Sequence, residues 1–295
     1  AGTGGSPEAP GDAGRRLAEE VRMARELQQS ILPSTPPAVP GIDVASVYRP
    51  SSEVGGDFYD FYEVEDGALL ACIADASGHG LDSSMVSSMA KSALYLQVSA
   101  GRPLELAMAE INRMMCDTLG RRRLMTMTLL AIDGARRVVR WVNAGHCYPL
   151  LLRKGHVQEL SQPSYPLGVR RETEYTVLEA ALVPGDLLLL FTDGLLEAYS
   201  PQGEAYGWER LSACLAAAPA APAAPHAAID ALLADVGRHL GSVAPQDDVR
   251  RNGRIEARDD HAAVARAGTV GTVAQRGVRV EVDLGDGRRR ARDRA

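Results

Sequence analysis

The sequence predicts an α+β fold in which antiparallel sheets are covered by helices. Three β-hairpin signals support this, since runs of alternating or apolar residues flank turns at Asp66-Gly67, Asp133-Gly134 and Lys154-Gly155. Two helix-like runs, Gly80 to Val98 and Pro103 to Leu119, lie between the first and second hairpins. Because the strands come as hairpins and do not alternate singly with helices, the pattern disfavours a parallel βαβ sheet.

The composition is typical of a globular domain without a membrane segment. The chain has 295 residues, of which 45% are hydrophobic, enough for one large domain with extensions. No apolar run reaches the roughly 18 residues of a membrane span and no secretory leader is recognisable, so we expect a cytoplasmic protein with no membrane contact. Scattered cysteines without a Cys-x-x-Cys pair favour reduced thiols and no zinc site; they are Cys72, Cys116, Cys147 and Cys214.

The charge is distributed unevenly along the chain. Residues 250–295 contain 12 arginines and 7 acidic residues, a net charge of +5, whereas the rest of the chain carries −11. An acidic body suits cation binding and argues against a nucleic-acid platform. We therefore expect no nucleic-acid partner.

The pattern divides the chain into segments. Residues 1–14 are small or polar and are predicted to be a disordered lead. Residues 15–33 form a predicted helix with an apolar stripe, ended by Pro33, and both packing on its own domain and dimerisation remain open. Residues 42–249 form the predicted domain, and residues 250–295 an atypical arginine-rich tail that we expect to be disordered.

Further elements are expected within the domain. The remaining predicted strands are Ile42 to Tyr48, Tyr175 to Leu182 and Leu187 to Phe191, and the remaining helices are Gly207 to Ala217 and His226 to Leu240. Apolar residues of the first helix after the hairpin are interpreted as core and not as a cofactor site; they are Met85, Met89, Leu94 and Leu96.

Four acidic positions stand where predicted strands or helices begin or end. Asp57 opens the first hairpin, Asp75 closes it, Asp193 follows an apolar strand, and Asp247-Asp248 follows the last helix. A single aspartate in such a place is more often a turn former or a helix cap. Together they form an oxygen-only set suited to Mg²⁺ or Mn²⁺, and two such ions sharing a carboxylate can activate water for attack on phosphorus.

Six short blocks occur in order along the domain. They are Glu53 to Asp60, Ala74 to Gly80, Asn143 to His146, Pro166 to Val169, Phe191 to Gly194 and Gln246 to Val249. The series resembles the SpoIIE-like, RsbU-like branch of the PPM metal-dependent protein phosphatases, over roughly Ile42 to Val249. The stretch Glu26 to Pro33 also resembles the helix that leads into the domain in that family.

The resemblance implies an α-β-β-α sandwich of two antiparallel sheets flanked by helices. It implies a phosphoserine and phosphothreonine phosphatase with two Mn²⁺ or Mg²⁺ ions, in which activated water attacks the phosphate and no cysteine or serine does. Asp75 would bridge both ions, and the Ala76 carbonyl would bind the second ion. Asp193 and Asp247 would bind the first ion, and Asp57 would serve the second, directly or through water.

Three further residues have subsidiary roles in this interpretation. Asp248 would support the site without being a main ligand. His79 is a candidate general acid, the alternative being an ordinary loop histidine. His146, after Gly145, is interpreted as a structural residue that orients a strand end.

The resemblance also implies partners. Phosphatases of this branch typically dephosphorylate an anti-sigma-factor antagonist, a small STAS-type protein, and so release a sigma factor in bacterial stress signalling. A homodimer through residues 15–33 is a further expectation, because sensor modules of the family act through the leading helix.

Three other functions are weighed against this one. Gly55-Gly56-Asp57-Phe58 superficially resembles the GGDEF signature of diguanylate cyclases, but Phe58 stands where an acid is needed and the later acidic blocks would be unexplained. A phosphatase of small phosphate esters remains open. So does a catalytically weak or inactive binding module that keeps the fold.

The binding-module alternative rests on the tail. In the resembled family the Asp-Asp pair continues into a hydrophobic strand, whereas here Arg250-Arg251-Asn252-Gly253 follows Val249, and unpaired guanidinium groups are costly to bury. Only Val278 to Leu284 alternates like a strand, and it is predicted to pair at a sheet edge. The pattern is that of a changed reading frame in a GC-rich gene or of a natural divergent tail, and either would loosen the metal site at Asp247.

Overall fold

The computed structural model describes residues 10–48, 54–64, 67–120, 123–217, 225–241 and 276–281. In chain order the elements are α1 (Pro10–Ile31), β1 (Asp43–Tyr48), β2 (Asp57–Val64), β3 (Ala68–Ala76), α2 (Leu81–Ser99), α3 (Leu104–Leu119), β4 (Met125–Asp133), β5 (Val138–Ala144), β6 (Leu150–Arg153), β7 (His156–Glu159), β8 (Leu178–Ala181), β9 (Leu187–Phe191), a short 3₁₀ helix (Asp193–Leu195), α4 (Gly207–Ala216), α5 (Pro225–His239) and β10 (Arg276–Glu281). Two five-stranded sheets result, ordered β2-β3-β4-β5-β8 and β1-β10-β9-β6-β7.

The strand β3 shows why the two sheets pack face to face. Alternate side chains of a strand point to opposite faces of its sheet. Leu69, Ala71 and Ile73 join a core between the sheets, with Leu188 and Leu190 of β9. The residues between them face the helices instead; they are Leu70, Cys72 and Ala74. An interior strand with apolar side chains on both faces is therefore buried by the two layers.

Helices cover the outer face of each sheet. On the first sheet, α2 and α3 bury Leu94, Met108 and Ile111. On the second, α4 and α5 bury Leu211 and Val236. The described residues thus form four layers, helix-sheet-sheet-helix, with every strand pair antiparallel. The predicted α+β sandwich is confirmed.

The structure corrects several local expectations. α1 begins at Pro10, so the end of the expected disordered lead is helical; proline at the first helical turn is favourable because its fixed φ suits a helix. The strand expected from Tyr175 shortens to Leu178–Ala181. In α2 the core interpretation holds for Leu94, but three residues expected in the core are exposed by 65%, 36% and 64%; they are Met85, Met89 and Leu96.

The strand β10 occupies an unexpected place. It was predicted at an edge, yet Arg276–Glu281 lies between β1 and β9 and pairs antiparallel with both. β9 is buried along its whole length, and its backbone groups need partners on both sides. β6 supplies one side and β10 the other. The strand expected near Val278 is therefore present, but in the interior of the sheet and not at its edge; the rest of 250–295 lies outside the described residues.

Within the described parts of the chain, no helix is long and apolar enough to cross a bilayer.

Candidate metal centre

The first two expected ligands face each other across the β2–β3 hairpin. Asp57 and Asp75 are directly paired in the ladder, where opposite Cβ atoms lie about 5 Å apart. Asp57 is only 2% exposed and Asp75 is half-buried. The β2–β3 ladder thus sets two carboxylates side by side. Two neighbouring anions in such a place favour a bound cation.

The third expected ligand, the Ala76 carbonyl, lies against Gly56. The Ala76 N–H donates to the Gly56 carbonyl at 3.1 Å, and the Ser87 hydroxyl of α2 donates to the same carbonyl. A Cβ on residue 56 would stand 2.5 Å from the Ala76 oxygen and 3.3 Å from Asp75 Oδ1. Glycine therefore keeps open the space in front of the two candidate oxygen ligands.

We expect Gly56→Ala to weaken Mn²⁺ binding and turnover by about 100-fold, because the methyl group would displace the Ala76 carbonyl, and a misplacement of about 1 Å costs that much. Mn²⁺ titration calorimetry and phosphate release would measure the effect. Gly14→Ala is the matched control, since a Cβ there meets nothing within 4 Å. A Gly56→Ala protein with unchanged Mn²⁺ affinity would show that the Ala76 carbonyl is not a ligand.

The next expected ligand, Asp193, lies at the end of a strand of the second sheet. It follows β9 and opens the 3₁₀ helix, in which the Leu195 N–H donates to the Thr192 carbonyl at 3.1 Å and the Glu197 N–H to the Asp193 carbonyl at 2.9 Å. Asp193 is exposed, whereas Thr192 is 1% exposed. The carboxylate therefore stands at the surface end of a buried strand.

His146 connects the two sheets beside these acids. Its Nε2 lies 3.1 Å from the Phe191 carbonyl of β9, and its Nδ1 lies 2.8 Å from the Thr126 hydroxyl of β4. A carbonyl oxygen only accepts, so Nε2 carries the hydrogen and Nδ1 accepts from Thr126. Burial lowers the pKa of His146 to about 4, against the opposing effects of the Asp57 charge and the Phe191 hydrogen bond. The ring is therefore neutral at neutral pH.

The charges of three of these acids bear on one thiol. The pKa of Cys147 is raised to about 12, first by burial and then by the charges of Asp193, Asp75 and Asp57. The Cys147 thiol is therefore protonated at neutral pH.

The chemistry of these residues suits hard divalent cations. The donors are oxygens only, from three carboxylates and one backbone carbonyl, and Gly56 leaves room before two of them. Among the described residues, no group of three or more His, Cys, Asp or Glu side chains is placed so that it could hold a metal ion. Asp247 and Asp248, the remaining expected acids, lie outside the described residues.

Comparison of the sequence with models of protein families identifies the family of this chain. The sequence model described as Stage II sporulation protein E (SpoIIE) matches residues 65–250, more than half of the chain. The chain belongs to the SpoIIE family. The resemblance to the SpoIIE-like branch is thereby confirmed.

Two curated relatives of this SpoIIE-family chain both carry the name phosphoserine phosphatase. It is 29% identical over 184 residues to "Phosphoserine phosphatase RsbP" of Bacillus subtilis (strain 168), covering 60% of this chain and 45% of the relative. It is 22% identical over 191 residues to "Phosphoserine phosphatase RsbU" of the same organism, covering 64% and 57%. The chain thus spans about half the length of these relatives.

Solved structures confirm the SpoIIE-family fold. The SiaA-PP2C domain of Pseudomonas aeruginosa superposes with a TM-score of 0.66 at 24% identity, over 80% of this chain and 96% of that one. The PP2C phosphatase domain of SpoIIE from Bacillus subtilis gives 0.63 at 19% identity, over 82% and 62%. At such identities the likeness establishes the fold, and the fold is that of PP2C phosphatase domains.

Sequence reasoning missed the contact between α1 and the site. The Gln28 side chain donates through Nε2 to the Gly55 carbonyl and accepts from the Gly55 N–H at 2.9 Å through Oε1. Gln28 is 7% exposed, and Gly55 precedes Asp57 by two residues. In the sequence Gln28 is one polar residue within the helix predicted over residues 15–33, and no local pattern indicates a backbone partner 27 residues away.

The loop that carries His79 is anchored at one end. The Ser77 N–H donates to the Leu124 carbonyl at 2.8 Å, and the Leu124 N–H donates to Ser77 Oγ at 3.0 Å. His79 itself is exposed. Its exposure fits both expectations for it, the general acid and the ordinary loop histidine.

Proposed function

We propose that the chain is a metal-dependent phosphoserine and phosphothreonine protein phosphatase. The observation that carries the proposal is the pairing of Asp57 with Asp75 across the β2–β3 ladder, next to the Ala76 carbonyl, in a chain of the SpoIIE family. Two relatives that bear the name phosphoserine phosphatase support the same reaction.

The metal ligands we propose are those expected from the sequence. Asp75 would be shared by two Mn²⁺ or Mg²⁺ ions, the Ala76 carbonyl and Asp57 would hold one of them, and Asp193 with Asp247 the other. When bound, the ions supply Lewis-acid activation of water and neutralise charge on the phosphoryl group. A structural neighbour, RsbX, is described in complex with magnesium, which supports a hard cation.

The protein's own residues prepare this site. The β2–β3 ladder holds Asp57 directly opposite Asp75, and Gly56 keeps the Ala76 oxygen accessible. The neutral His146 fixes the end of β9, from which Asp193 extends. Preorganised charge of this kind lowers the cost of stabilising a charged transition state.

The proposed substrate is a phosphorylated STAS-type anti-sigma-factor antagonist in the cytoplasm. The support is the relationship to RsbP and RsbU and the resemblance to their branch. The exposed position of Asp193 suits a phosphate carried on a folded protein, since it stands at the surface.

Phosphate release from a phosphoserine STAS protein, measured with Mn²⁺ and with EDTA, tests the proposal. We expect release only with the metal, and a kcat/KM well above that for p-nitrophenyl phosphate. Hydrolysis of the small ester alone would favour the small-ester phosphatase. Tight binding of the phosphoprotein without turnover would favour the inactive binding module.

We further propose that α1 joins two copies of the chain and transmits a signal to the site through Gln28. Leu17, Met23 and Leu27 of α1 are exposed by 60%, 51% and 67%, and Gln28 binds the backbone beside Asp57. The full chain should sediment as a dimer, whereas a chain starting at Ser34 should sediment as a monomer and be less active.

The single substitution Gln28→Ala should lower activity several-fold while leaving the dimer intact, since it removes only the Gly55 contact. Gln29→Ala, one residue along the helix, is the matched control. If the full chain and the chain starting at Ser34 have the same oligomeric state and the same activity, α1 only packs on its own domain.

A further inference from the structure

We propose that His146 is a positioning residue that fixes the Asp193 half of the metal centre against the Asp57–Asp75 half. The proposal rests on the proposed function, because it assigns His146 a task in that same centre. It goes further in naming the contact that sets the separation of the two halves.

The hydrogen bonds of His146 run from one half to the other. Thr126, which donates to Nδ1, is the direct ladder partner of Asp75 on β4, and its hydroxyl also lies 3.4 Å from the Asp75 carbonyl. On the other side Nε2 donates to the Phe191 carbonyl, two residues before Asp193. One ring therefore links the backbone around Asp75 to the backbone leading to Asp193.

The ring has little freedom to move. The His146 N–H donates to Asn143 Oδ1 at 3.0 Å, and Asn143 Nδ2 donates to the His146 carbonyl at 3.0 Å and to Thr128 Oγ1 at 2.9 Å. Gly145 has a φ of +69°, and a Cβ on it would stand 2.7 Å from Pro166. Backbone and side chain are both held, so the ring works as a fixed spacer.

A fixed spacer matters here because the half-sites belong to different sheets. Strands within a sheet are held by ladders of backbone hydrogen bonds, whereas the two sheets meet mainly through nondirectional apolar packing. A few other hydrogen bonds cross between them, among them the one from the Tyr48 hydroxyl to the Asp57 carbonyl at 3.3 Å, but that bond does not reach the strand that leads to Asp193. Metal ligands must stay within a few tenths of an ångström of their places. A buried hydrogen bond from one sheet to the last residue of β9 supplies that precision.

The test compares two substitutions of the same residue. In His146→Gln, the side-chain Nε2 can still donate to the Phe191 carbonyl. In His146→Asn, the shorter side chain can still accept from Thr126 but cannot reach Phe191. Mn²⁺ binding to each intact chain is measured by titration calorimetry, with thermal unfolding in EDTA to compare folding and phosphate release measured in parallel.

We expect two Mn²⁺ sites in the wild-type chain. His146→Asn should weaken one of them by about 10- to 100-fold and spare the other, and His146→Gln should restore most of the loss. A purely structural role would instead lower the unfolding temperature and leave metal affinity unchanged. If His146→Asn fails to fold, Thr126→Val, which like His146→Gln removes the bond to Nδ1 and keeps the bond to Phe191, should weaken the same Mn²⁺ site by a smaller factor, similar to that of His146→Gln.

The outcomes separate this inference from the proposed function. Wild-type turnover with Mn²⁺, together with equal Mn²⁺ affinities for wild type, His146→Asn and Thr126→Val, would overturn the role of His146 alone. Equal loss for the Asn and Gln variants would also overturn it, because the Phe191 bond would then be irrelevant. A wild-type chain that binds no Mn²⁺ would overturn both.

Discussion

Asp75→Asn should abolish metal-dependent phosphate release. Asp75 is paired with Asp57 in the hairpin and stands beside the Ala76 carbonyl, so both proposed ions depend on its charge. The substitution keeps the shape of the side chain and removes one negative charge from a shared ligand. We expect a loss of at least about 1000-fold in kcat/KM, or about 4 kcal/mol of transition-state stabilisation.

The control for Asp75→Asn is Asp117→Asn. Asp117 is an exposed aspartate that accepts two hydrogen bonds from Arg171, and the Arg171 guanidinium lowers the pKa of its carboxyl. Because exposed ion pairs contribute little, this variant should keep full activity. Near-normal turnover of Asp75→Asn at saturating Mn²⁺ would show that the two-metal assignment is wrong.

A chain that ends at residue 275 should fail to fold stably. It lacks β10, and β1 and β9 would each lose the partner that lies between them. Unpaired buried backbone groups on two strands cost about 1 to 3 kcal/mol each, so the total loss should approach the whole stability of a domain, about 5 to 15 kcal/mol. Urea unfolding followed by circular dichroism would measure it.

A chain that ends at residue 281 is the matched control for this truncation. It keeps Arg276–Glu281 and should unfold at the same urea concentration as the full chain. If the chain ending at 275 unfolds at that concentration too, β10 contributes nothing to the sheet. That result would support the expectation that residues 250–295 do not take part in the fold of the domain.

Local patterns were enough to predict the first half of the site. The Asp66-Gly67 turn signal joins two strand-like runs, which predicts that Asp57 and Asp75 come close together, whereas the register that pairs them directly, with Val64 opposite Ala68, is seen only in the structure. The position of Asp193 followed from the apolar run before it. Strand ends are properties of a short stretch of chain, so its residues determine them.

Contacts between distant segments were beyond such patterns. Alternation marked a strand near Val278, but whether it lies at an edge or between β1 and β9 depends on partners far away in sequence. The spacing of Met85 and Leu96 marked a helix without showing which face meets the sheet. The same reasoning explains why the Phe191 bond of His146 could not be predicted from the sequence.

A crystal structure of the full chain grown with Mn²⁺, with anomalous diffraction data, tests the two-metal centre most directly. We predict two anomalous peaks that share an oxygen of Asp75, one beside the Ala76 carbonyl and one beside Asp193. A single peak away from Asp75, or two peaks that do not share it, would contradict the account.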